Sequence, residues 1–213
     1  ILIKNKEKFF NTNFVKFLVI SGFLLTILIL ESNVYRPDAG LYHLPFIGIL
    51  NTEKIIFGLS NLHFRYAHTS IIQYYAAISN NFIFKDNGIV FAQGIIATAI
   101  IINFISQLHF YIKKENYNFH FYFLIYVIIY MAYKMNRYSE YGNDAPAHFL
   151  VFFLISEVLI SKNKFNLDQF FNNLILSLFI IQNKLTLILI VILSLIDIKK
   201  VIKIATKASK KLL

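Results

Sequence analysis

Apolar residues in this chain come in long blocks, separated by short polar stretches. The blocks fall at 13–31, 88–112, 117–133, 145–160, 167–183 and 185–198. A helix needs roughly 20 apolar residues to cross a hydrocarbon layer about 30 Å thick. The pattern therefore predicts an all-α fold, a polytopic transmembrane helix bundle of about six spans. The fifth and sixth blocks are short and meet at Asn183-Lys184, so they also fit one hairpin that does not fully cross. Residues 32–87 form the longest segment without a clean span. Their apolar pieces, 44–50, 55–59 and 71–79, suit short interfacial helices in a first external loop. The whole of 1–213 reads as a single membrane domain, with a basic tail at 199–213.

Composition agrees. Hydrophobic residues make up 57% and charged residues 15%, where a soluble domain is about a quarter charged. With no cysteine, disulfides, thiolate nucleophiles and zinc–thiolate sites are excluded. The net charge of +10 lies mostly in the polar stretches. Lys4, Lys6, Lys8, Lys16, Lys113, Lys114, Lys162, Lys164 and the six tail lysines fall on one side of a six-span layout. Arg36, Lys54, Arg65, Lys85, Lys134, Arg137 and Lys184 fall on the other. The imbalance predicts both termini in the cytoplasm, with loops 32–87 and 134–144 sharing the far side. A lysine tail beside a span is expected to meet anionic lipid headgroups, and no nucleic acid partner is expected. The chain has no Gly-rich phosphate loop, no G-x-S-x-G elbow and no internal repeat, which disfavours a P-loop NTPase or a serine hydrolase. The first apolar run is too long for a signal peptide, and Glu31-Ser-Asn is a poor cleavage site.

Three polar clusters carry candidate chemistry. The first is Tyr35-Arg-Pro-Asp-Ala-Gly-Leu-Tyr-His-Leu-Pro45. Asp38, partly desolvated at the membrane surface, would be suited to take a proton from a hydroxyl. Equally, it would cap a helix starting near Ala39. Tyr42 shares a helix face with Asp38, and His43 adjoins it. The second cluster holds His63, Arg65 and His68. The Arg65 fork matches phosphate oxygens, whereas His63 and His68 are badly spaced for a metal. The third holds Arg137, Glu140, Asp144 and His148; Asn143-Asp144-Ala-Pro reads as a helix start. Glu157 lies inside a span, where an ionisable group has a partner, has a role or snorkels. His109 and His120 are expected at the cytoplasmic interface.

The stretches Tyr35-x-x-Asp38-x-Gly-Leu-Tyr-His43, Gly58-Leu-x-Asn-Leu-His63-x-Arg65 and Gly142-x-Asp144-x-Pro-Ala occur in that order. Over about residues 14–190 the chain resembles a group of multi-pass bacterial membrane proteins related to the GT-C glycosyltransferases. The resemblance implies a catalytic Asp in the first external loop, matched by Asp38, with a Tyr four residues on, matched by Tyr42. Ala39 stands where a second acidic residue is usual, which argues against metal binding and full activity; no cofactor is assigned, and a divalent metal is possible but not supported. Lys184 resembles a lysine at a later external helix end. The resemblance implies an inverting transferase of the cytoplasmic membrane, with a polyprenyl-phosphate-linked sugar as donor. Asp38 is then the base, and Tyr42, His43, His63, Arg65, Arg137, Glu140, Asp144 and Lys184 bind substrate. Arg65 or Lys184 would meet the leaving phosphate. Complete members are longer, which implies an N-terminal module or a degenerate copy. The alternative is a non-catalytic subunit or scaffold working with envelope-assembly partner proteins. A transporter or channel fits worse, because acids are scarce in the spans and no inverted repeat is visible.

Overall fold

The computed structural model describes residues 12–30, 37–53, 56–67, 70–134, 141–161 and 165–212. Among them every regular element is helical. The main helices are α1 (Thr12–Leu30), α2 (Leu44–Thr52), α3 (Ile71–Ser79), α4 (Phe91–Lys113), α5 (Phe119–Tyr133), α6 (Asp144–Ser161), α7 (Leu167–Asn183) and α8 (Ile198–Leu212).

Three helical segments are long and apolar enough to cross a membrane: Thr12–Ile29, Lys85–Lys113 and Asp144–Ser161. The other three expected spans take different forms. The block at 117–133 becomes α5, whose 15 residues reach only about 22 Å. The block at 167–183 becomes α7, which buries Asn173, Ser177 and Asn183 on one face. At Lys184 the backbone is extended and its N–H closes back on the Ile180 carbonyl, which ends α7. The next ten residues fold back on α7 as a 3₁₀ turn, Leu185–Ile190, kinked at Leu187, then a short helix, Val191–Ser194. Ser194 Oγ donates to the Asn173 carbonyl at 2.8 Å and pins the return.

Local chemistry sets the helix starts. Asn118 accepts from the Phe121 N–H at the head of α5, and Asn166 from the Asp168 N–H at the head of α7. Such caps satisfy donors that the first turn leaves unpaired. At α3, Ser70 and Gln73 form a reciprocal capping box.

The core runs through α1, α4, α5, α6 and α7, with Ile29, Ala97, Phe104, Leu124, Val127, Phe149, Leu154 and Ile180 buried together. α1 packs on α4. Where they meet, Gly22 leaves room for Thr98 and Ile102, and Thr26 and Thr98 share a 2.9 Å hydrogen bond. Small residues and interhelical hydroxyls hold helices together where lipid removes the hydrophobic drive.

The helix directions give the bundle two distinct ends. Phe14 stacks on His109, so the start of α1 lies beside the end of α4. Tyr111 and Ser156 both bond His120, which brings the end of α4, the start of α5 and the last turns of α6 together. Asn183 bonds the Asn143 carbonyl, so the end of α7 meets the start of α6 at the opposite end. Helices α2 and α3 pack on that second end around Ile47, Ala76, Ile89, Val90 and Tyr141.

His120 corrects one sequence expectation. It is not interfacial but buried, 5% exposed, between Tyr111 Oη and Ser156 Oγ at 2.8 Å each. Glu157 has a partner: Gln169 Nε2 donates to its carboxylate at 3.3 Å.

Gly88 is the tightest point under α3. A Cβ there would sit 1.9 Å from the Ser79 carbonyl oxygen, a backbone atom that cannot rotate away. Gly88→Ala is expected to destabilise the chain by about 3 kcal/mol, read as a lower thermal midpoint in detergent. Gly40→Ala, with open space around it, should change little.

Candidate functional site

The site begins with a helical irregularity. Pro37 and Asp38 already have helical backbone, and a π-helical turn, Ala39–His43, runs straight into α2. Its signature bond links the Leu44 N–H to the Ala39 carbonyl. The cause is Pro45, next in line, which has no N–H for the carbonyl four residues back. The helix widens for one turn instead, as π-turns at functional sites often do. Asp38 makes no side-chain capping bond there. The capping role open in the sequence is therefore not the one it plays.

That turn forms one wall of a cavity of about 900 Å³. Tyr42 and His43 line it from the π-turn, Asp38 from just before that turn, and Arg65 from the loop before α3. Asn143 and Asp144 come from the start of α6, and Gln182, Asn183, Lys184 and Thr186 from the end of α7 and its return. Six of the residues singled out in the sequence thus share one cavity: Asp38, Tyr42, His43, Arg65, Asp144 and Lys184. His63 stands one layer back, its ring stacked on Tyr42 at 6.3 Å between centroids. Arg137 and Glu140 lie outside the described residues, as do Tyr35 and Arg36.

The charges are arranged unequally. Lys184 is ion-paired to Asp144. The Arg65 guanidinium lies over the Tyr42 ring at 5.3 Å and over Phe64 at 5.1 Å. Among the described residues no carboxylate closes on it to ion-pair distance. Its fork is steered by aromatic faces and not consumed by an internal salt bridge. Burial pushes the Tyr42 phenol above its usual range; the Asp38 carboxylate adds to that shift and Arg65 opposes it. Asp38, Tyr42 and Arg65 are therefore electrostatically coupled. Among the described residues no cluster of three or more His, Asp or Glu could hold a metal.

A hydrogen-bond chain fixes the wall. Gln73 Oε1 accepts from the Ser70 N–H at 2.8 Å, which turns Gln73 Nε2 toward His43 Nδ1 at 3.0 Å. The amide donates, so Nδ1 accepts and the imidazole proton rests on Nε2. Ser70 Oγ then donates to Asn183 Oδ1, and Asn183 Nδ2 donates to the Asn143 carbonyl at 3.3 Å. This chain ties α2, α3, α6 and α7 around the cavity. Ser70, Gln73 and Asn183 are not among the candidates that the sequence offers by residue type. Ser-x-x-Gln is a capping-box signature that would have exposed the first two. Two further buried polar atoms, Tyr141 Oη and Asn143 Oδ1, have no hydrogen-bond partner among the described residues.

His43 carries a pH consequence. Burial lowers its pKa to about 4, against the opposing pull of Asp38 and Asp144. The folded chain keeps the imidazole neutral, while the unfolded chain takes up a proton below about 6.5. Stability is complete above that value and falls as pH drops from about 6.5 to about 4, by up to about 3 kcal/mol. Thermal melting in detergent across this window should show the fall. His43→Gln should make it shallower.

Fold and site together define, among the described residues, an all-α protein with three helical segments long and apolar enough to cross a membrane and a charged, polar cavity at one end of the bundle. The chain belongs to the family described as Domain of unknown function (DUF8201), whose model matches residues 1–213. No curated protein and no solved structure matches it.

Proposed function

We propose that this is an integral membrane glycosyltransferase-like protein. It transfers a sugar from a polyprenyl-phosphate donor to an envelope glycan or lipid acceptor. The cavity opens on the non-cytoplasmic face of the cytoplasmic membrane. The proposed layout has six spans with both termini in the cytoplasm. The observation that carries the reading is the shared cavity of Asp38 and Arg65, a carboxylate and a guanidinium coupled through Tyr42.

In this reading the acceptor hydroxyl lies against Asp38, which takes its proton as the oxygen attacks the anomeric carbon. The bond from that carbon to the phosphate oxygen breaks, with inversion. The electron pair leaves on the lipid phosphate, where negative charge grows. A cation preorganised at that point stabilises the transition state more than the ground state. Lys184 is engaged by Asp144, so Arg65 is the better phosphate partner. The test is transfer of labelled sugar from a polyprenyl-phosphate donor in membranes, using the longest natural form of the chain. Transfer that depends on Asp38 supports the enzyme. Absence of transfer with every donor tried, in a well-inserted chain, favours the scaffold.

A further inference from the structure

Helix α8 follows the return from α7, and sugar transfer makes no use of it. It begins after the turn at Leu195–Asp197, and its first residues stay with the bundle. Lys200 pairs with Asp197 at 2.7 Å and lies over the Phe165 ring at 5.5 Å. Phe165 sits between the end of α6 and the start of α7, which is the bundle end opposite the cavity. Lys113 and Lys114, at the end of α4, belong to that same end, as does Lys16 near the start of α1. The 18 residues of α6 separate the two ends by about 27 Å, close to the thickness of a hydrocarbon layer.

At 100° per residue the α8 sequence sorts into two faces. Positions 198, 201, 202, 204, 205, 208 and 212 are apolar and fall on one side; lysines at 199, 200, 203, 207, 210 and 211 fall on the other. No acid follows Asp197. Of the apolar side, Ile202 is 55% exposed and Ile204 46%. An apolar stripe left open by the bundle, with lysines as the only charges across from it and a second group of lysines at the same bundle end, has a specific complement. A negatively charged surface with an apolar interior beneath it meets both faces at once.

We propose that α8 lies flat on an anionic phospholipid surface at the bundle end opposite the cavity. Its isoleucines are sunk among the acyl chains and its lysines lie at the phosphates. Together with Lys16, Lys113 and Lys114 it forms a basic collar on the leaflet facing away from the cavity. This inference needs the bundle to be in a membrane but does not need sugar transfer, and its test reads no activity.

The absence of cysteine makes the test clean. Ile202→Cys in the full chain gives a single thiol for an environment-sensitive fluorophore. The labelled chain is reconstituted in phosphatidylglycerol-containing vesicles and in pure phosphatidylcholine vesicles, each with a spin-labelled lipid quencher. The expected result is strong lipid quenching in the anionic vesicles and weak quenching in the zwitterionic ones. Adding Lys199→Gln and Lys203→Gln should weaken docking about fivefold per lysine, and raising the salt should act in the same direction. Equal lipid quenching in the two vesicle types would overturn the electrostatic docking. A label shielded from both lipid and aqueous quenchers would show protein covering this face and would overturn the proposal outright.

Discussion

Asp38→Asn should lower sugar transfer by about 10²–10⁴ while leaving expression, membrane insertion and thermal midpoint unchanged. The amide keeps size and hydrogen-bonding reach but cannot accept the acceptor's proton. The structure sharpens this comparison, because Asp38 makes no side-chain capping bond. Were it a cap, Asp38→Ala would cost about 1 kcal/mol and Asp38→Asn almost nothing. On the present account both substitutions leave stability alone and both abolish proton transfer. Full activity in Asp38→Asn would remove Asp38 as the base.

Arg65→Ala should lower turnover by about 10²–10³, the cost of removing one preorganised group that meets transition-state charge. The loss should fall mainly on kcat, since negative charge on the leaving phosphate grows toward the transition state. Arg65→Lys should be intermediate: it restores the charge but not the planar fork or its fit on Tyr42 and Phe64. A variant that only raises KM would recast Arg65 as a ground-state anchor. Steady-state kinetics with varied donor concentration separates these outcomes.

Which features the sequence carried follows from the physics of each. α1, α4 and α6 were legible because an unbroken apolar block long enough to cross lipid has few other uses. α7 was harder, because its Asn173, Ser177 and Asn183 sit in an otherwise apolar run and their burial depends on the partner helix. The return after Lys184 was legible only as a polar break, since the direction taken after a break is a tertiary matter. Pro45 announced an irregularity, but whether a helix kinks, stops or widens there depends on what packs on it. His120 looked interfacial because it follows Lys113-Lys114 closely; the three-helix junction that buries it involves Ser156, far along the chain. In the cavity, the ionisable residues stood out by type in a membrane chain. Gln73 and Asn183 did not, because a neutral amide near a helix end reads as surface until its partners are known.

The central claim, a lipid-phosphate sugar bound at the cavity end of the bundle, is most directly tested by photocapture. A photoreactive polyprenyl-phosphate sugar is equilibrated with the full chain in membranes and irradiated, and the attachment points are mapped by mass spectrometry. The account predicts labelling within residues 38–43, 65–74 or 182–186, suppressed by excess unlabelled donor. Competable labelling confined to the opposite end, around Lys113 and Lys114, would contradict it.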